Sequence, residues 1–175
     1  MRHALDIALV GEQAKATLRG GYIGHGRGHI EHSSLITHEV PNTSSTTLYK
    51  GIVEGHSTGV FYSSEHVGHH ATGTSTSQYH HGWALDDGAH LYARPELFIH
   101  REEVACQHGA TMEEMDEAQL FYLIARGIPR SAAKKILLNA FLQGIIGTLV
   151  TPTLQRHIEE KTQQALDGLD ASPIN

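Results

Sequence analysis

From Met1 to about Ala110 the apolar residues come in short alternating bursts, and from Thr111 onward they recur at helical spacing. Ala14, Ala16 and Leu18 fall on one side of a two-residue period, with Lys15, Thr17 and Arg19 on the other, which is the pattern of a strand. The same reading predicts short strands at Tyr22–Ile23, Ser34–Thr37, Thr47–Val53, Gly59–Tyr62, His90–Ala93 and Glu96–His100. Turn formers separate them: Gly20-Gly21, Gly24 to Gly28, Pro41-Asn42, Glu54-Gly55, Gly68, Gly73 and Asp86-Asp87-Gly88. Strands this short and close suit an all-β sandwich, a jelly roll or a stacked solenoid. No repeat at a fixed period singles out the last.

Thr111-Met112-Glu113-Glu114 matches a capping box, which predicts a helix from there to about Arg126, closed by Gly127. Pro129 suits the start of a second helix, with Ala133, Ile136, Leu137, Ala140, Phe141 and Gly144 along one face. Pro152 permits a third, more polar helix from about Thr153 to Leu166, striped by Leu154, Ile158 and Ala165. Asp170 to Asn175 reads as a frayed tail. The residues predict a mainly β body over 1–110 and a helical cap over 111–175.

Composition narrows the function classes. A chain of 175 residues, 39% of them apolar, is one soluble domain in size and character. Its formal net charge of −6 argues against nucleic acid as a partner, since phosphate binding needs clustered positive charge. No apolar run is long enough to span a membrane, and Asp6 falls where a signal peptide would have its apolar core. The single cysteine excludes an internal disulfide, and the chain reads as cytosolic. Histidine is the outlier, at 15 residues. Full protonation would carry the charge from −6 to +9, so surface potential should change strongly between about pH 7 and 5.

Three clusters could carry chemistry. Cys106 and His108 lie two residues apart on an extended segment, so both side chains point the same way and could ligate one iron or zinc. The helix predicted after Thr111 would favour the thiolate of Cys106, although a small buried hydrophobe is the plainer role for a lone cysteine. His25, His29, His32 and His38, with Glu31 and Glu39, form the second cluster. Its glycines disfavour a helix, and on a strand His32 and His38 would share a face; solvated surface imidazole is the default. The third, His66, His69, His70, His80 and His81, sits among Ser, Thr and Gly and reads as exposed loop with adventitious metal affinity. Asp86-Asp87 reads as Asx-turn chemistry. No P-loop, dinucleotide fingerprint, zinc-protease helix or Ser-His-Asp order is present.

The stretch from Arg94 to Thr111, ending Cys-Gln-His-Gly-Ala-Thr, resembles the hallmark segment of the SufB/SufD family. Leu120 to Ile128 and Asn139-Ala140-Phe141 continue the likeness, and Leu48 to Val53 followed by Gly59-Val60-Phe61 extends it upstream. The form of the cysteine segment is nearer SufD than SufB. Arg94 replaces the usual lysine and Glu102-Glu103 the usual aspartates, while Tyr62 to His70 and Tyr79 to Asp87 depart from the family pattern. Members are normally longer at the N-terminal side.

The resemblance implies a right-handed parallel β-helix followed by a C-terminal helical subdomain. It further implies a non-enzymatic scaffold of SUF-type iron–sulfur cluster assembly, holding a transient cluster and no permanent cofactor. Cys106 and His108 would be the cluster-site residues, with His108 on iron at a partner interface and Cys106 supporting or joining it. The helices from Glu113 to Gly147 would dock a SufC-like ATPase, and a SufB-like or SufD-like subunit would pair with the β-helix. Two other classes compete on the residues alone: a His-rich metal-buffering protein, and a metal-dependent enzyme with His32 and His38 as ligands.

Overall fold

The structure, a computed structural model, describes residues 1–146 and 151–169; the predicted tail at 170–175 lies outside them. Two four-stranded parallel sheets face one another. One is built from β1 (Arg2–Leu9), β3 (His29–His38), β5 (Thr58–Val67) and β7 (His90–Ile99). The other is built from β2 (Lys15–Gly24), β4 (Ser44–Val53), β6 (Ser75–Ala84) and β8 (Ala105–Glu113). Successive strands alternate between the sheets, so the chain winds as a parallel β-solenoid of about four turns. Three helices follow: α1 (Glu117–Ile124), α2 (Arg130–Ile146) and α3 (Pro152–Leu169). No described helix is long and apolar enough to cross a membrane.

The coil length explains why no fixed period shows in the sequence. Arg2 pairs with Glu31 and Lys15 with Ser44, each 29 residues on. Ser44 then pairs with Ser75, 31 residues on, and Thr58 with His90, 32 residues on. Corners absorb the extra residues and the strands stay in register, so the repeat exists in space but not at one spacing.

Inward side chains stack in rows through the turns. Two rows run Ala16, Ser45, Thr76, Cys106 and Leu18, Thr47, Gln78, His108. The interior thus begins apolar, around Leu9, Leu18, Ile36, Tyr49 and Phe61, and becomes polar toward the last turn. Large residues are accommodated where the neighbouring turn offers glycine: a Cβ on Gly51 would lie 2.2 Å from the Tyr22 ring. β6 shows why alternation failed to predict it. Its inward residues are Thr76, Gln78, His80 and Gly82, buried but polar, so no hydrophobic period marks the strand.

Several expectations need correction. The third histidine cluster is exposed loop only at His69 and His70: His66 lies on β5, His80 and His81 lie on β6, and His80 is wholly buried. His38 is not a surface imidazole but a fully buried one. β1 was not predicted at all, and His90–Ile99 is one strand where two were predicted, running through Pro95. The capping box does not form, because β8 continues through Thr111 to Glu113. Asp116 is the N-cap instead, its carboxylate accepting from the amides of Ala118 and Gln119, while Gly127 closes the turn at φ 84° as expected.

The helices cover the outer face of the second sheet. Outward Ile52 joins Leu138, Leu142, Ile146, Leu166 and Leu169 in one buried cluster, with Ile23, Trp83 and Phe141 against it. The buried face of α2 is therefore Ala133, Leu138, Leu142, Ile145 and Ile146, rotated from the predicted one, and Ile136 faces solvent. On α3, Leu154 is exposed, and Leu166 and Leu169 are the buried anchors. Two lysines fasten α2 to the solenoid. Lys50 donates to the Phe141 carbonyl at 2.6 Å, and half-buried Lys134 pairs with buried Glu54 at 2.5 Å.

Candidate functional site: the last turn of the solenoid

Among the described residues β8 pairs only with β6, so its other edge is open there. Cys106 and His108 stand on adjacent inward rows of this last strand, stacked against Thr76 and Gln78 of the turn before. The alternation that places them on one side was legible from their spacing. What the sequence did not show is that this side faces the solenoid interior, and that no further turn among the described residues covers it. Cys106 is half-buried and His108 exposed as a result. On the outward side Gln107 accepts from the Tyr79 hydroxyl at 2.9 Å, and Thr111 bonds the His81 ring at 2.8 Å, which holds β8 to β6.

Behind Cys106 lies a polar chain that sequence reading missed. Glu65 is wholly buried and accepts from Ser45 at 2.5 Å and from His38 Nε2 at 3.1 Å. His38 Nδ1 bonds the Thr43 hydroxyl at 2.9 Å, and Ser45 bonds Thr76, the register neighbour of Cys106, at 2.9 Å. The second oxygen of Glu65 has no partner among the described residues. Glu65 carries no motif, and only the register brings it to the same interior as a thiol 41 positions on.

The electrostatics reverse the expected state of Cys106. α1 begins at Glu117, too far along the chain for its N-terminus to act on the sulfur. Burial, and secondarily the negative charge of Glu65, instead push the thiol above its ordinary value. Cys106 in the free chain should accordingly react slowly with iodoacetamide at pH 8, and Glu65→Gln should speed alkylation several-fold. Equal rates for the two chains would remove Glu65 from this account.

The remaining candidates separate. His32 packs among His3, Tyr22 and Tyr49, and burial followed by the nearby His3 charge lowers its pKa. His80 stacks on Phe61 and bonds the Tyr22 hydroxyl at 2.9 Å; burial, then His81 and His32, bring it down to about 4. His32 and His38 do share the inward face, but six residues of strand put them roughly 20 Å apart, so they cannot ligate one ion. No three His, Cys, Asp or Glu side chains among the described residues enclose a metal site. Large apolar residues line the open turn: Tyr92, Phe98 and Ile99 on β7 and Met112 on β8 are all exposed.

A family model, the SufBD core domain of SUF-system FeS cluster assembly, matches residues 1–141. The chain belongs to the SufBD family. It is 28% identical over 175 residues to an iron-sulfur cluster assembly SufBD family protein of Mycobacterium tuberculosis, covering 95% of this chain and 44% of that protein. Against the iron-sulfur cluster assembly protein SufD of Escherichia coli it is 26% identical over 168 residues, covering 96% of this chain and 40% of the other. A chloroplastic protein of Arabidopsis thaliana is 28% identical over 170 residues, with 96% and 35% covered. This SufBD chain thus spans less than half the length of these relatives. The matched region takes in the whole solenoid, α1 and most of α2. The four turns, the open last turn and the first helical packing all lie inside it.

Proposed function

We propose that this chain is a non-enzymatic, cytoplasmic scaffold subunit of SUF-type iron–sulfur cluster assembly, and that Cys106 and His108 hold the transient cluster as cargo. The observation that carries the reading is their position, on neighbouring inward rows of a turn that no further strand covers among the described residues. Thiolate suits iron–sulfur chemistry and imidazole can complete its ligation. The raised pKa of Cys106 fits a thiol kept protonated until a metal displaces the proton. An open edge nine residues long, flanked by exposed Tyr92, Phe98 and Met112, is a surface that a SufB-like or SufD-like subunit would close by strand addition.

The docking face for a SufC-like ATPase is α1, which packs on α2 and turns aromatic side chains outward. Phe121 is 70% exposed and Tyr122 lies under the Arg126 guanidinium at 3.5 Å. Aromatic and arginine side chains presented together are the usual anchors of an interface. The experiment is an anaerobic pull-down of a SufC-type ATPase by the full chain and by Phe121→Asp. Retention by the wild type and its loss in the variant, with circular dichroism unchanged, is expected. Equal retention by both would move the ATPase off α1, and no retention by either would remove it as a partner.

A further inference from the structure

At the corner between β7 and β8, two histidines from different turns meet. His69 follows β5 and His100 follows β7, and their ring centroids lie 4.9 Å apart with an interplanar angle of 35°. The corner is pinned through its backbone: the His100 amide donates to the Val67 carbonyl and the Gly73 amide to the Glu103 carbonyl, each at 3.0 Å. Beside the two rings opens a cavity of about 580 Å³, whose other walls are Ile99, Arg101, Glu102 and Glu103. Among the described residues neither imidazole has a hydrogen-bond partner, and neither glutamate side chain is paired. Two carboxylates against one guanidinium leave the cavity acidic.

Two imidazole rings at this centroid separation, their nitrogens uncommitted and carboxylates lining the same cavity, suit a borderline divalent ion better than any other small ligand. Since no third ligand converges, such a site is open, with water in its remaining positions. We propose that His69 and His100 together bind a first-row divalent transition ion, with Glu102 and Glu103 supplying negative charge around it. Arg101 opposes that charge only in part. Cys106 is the second residue of β8, which begins a few residues beyond at Ala105, so the ion would be held at the same end of the solenoid as the thiol and imidazole of the last turn. The proposal does not depend on those two residues ligating anything.

The test is titration of the purified full chain with Zn²⁺ against a chromophoric chelator. It compares wild type with His69→Ala, His100→Ala, their double substitution, the remote control His25→Ala, and Cys106→Ser/His108→Ala. Both histidines are exposed, so the variants should fold, and circular dichroism checks this. Binding by one imidazole makes binding by the second intramolecular, so losing either partner should weaken the site about 10-fold or more. The double substitution should cost little beyond either single one, and His25→Ala and Cys106→Ser/His108→Ala should leave the site intact. Single losses within twofold of wild type would overturn the proposal. So would small losses that simply add, or a site that disappears only with Cys106 and His108.

Discussion

His38→Ala should destabilise the fold by about 3–5 kcal/mol, measured as a fall in the urea midpoint at unchanged slope. His38 and Glu65 are both wholly excluded from solvent, and the imidazole is one of two donors to the Glu65 carboxylate. Removing the ring leaves that carboxylate buried with Ser45 alone and opens a void, while the Thr43 hydroxyl keeps its bonds to the Val40 carbonyl and the Thr74 hydroxyl. The penalty comes from the orphaned group more than from the bond itself. His38→Ala/Glu65→Leu should therefore be more stable than the sum of its two single substitutions, because nothing charged is then left unpaired. A cost below about 1 kcal/mol for His38→Ala would mean that the carboxylate finds another partner.

His108→Ala should reduce cluster formation in the presence of the partner subunit and the ATPase to the level seen without this chain. Visible absorption and acid-labile sulfide provide the readout. Cys106→Ser should be comparably damaging if the sulfur joins the cluster, and milder if it only supports His108. Both residues sit in the open turn and neither anchors a buried cluster, so loss of folding is not the expected cause. The urea midpoint, expected within about 0.5 kcal/mol of wild type in ΔG, separates the two explanations. Undiminished cluster formation by His108→Ala would overturn the ligand assignment and leave the family membership untouched.

Much of the architecture was legible because local chemistry dictated it. β3 to β5 announce themselves through alternation and glycine punctuation, β2 and β7 only in halves because Gly20-Gly21 and Pro95 read as breaks inside them, and Gly127 and Pro129 mark the helical breaks. β1 escaped although Leu5, Ile7 and Leu9 pack on the apolar interior, and β6 escaped because its stabilising contacts are not hydrophobic. β6 buries Thr76, Gln78 and His80 rather than aliphatic residues, and its burial follows from parallel pairing on both sides. The capping-box pattern at Thr111 was a real local preference overruled by pairing with β6, which extends β8 to Glu113. Tertiary hydrogen bonding overrode a motif worth about 1 kcal/mol.

The candidate site divides along the same line. That Cys106 and His108 point to one side is set by the two-residue period of a strand, and the sequence alone determined it, together with the strand-then-helix order and the likeness to a known family. Which side is the interior, and that the last turn is open, depends on pairing between residues about 30 positions apart. The approach of Glu65 to Cys106, the contact of His69 with His100 and the separation of His32 from His38 were decided only by the tertiary structure. The physical reason is that a solenoid brings side chains together through coil length and register, and corners of unequal length hide both from any reading along the chain.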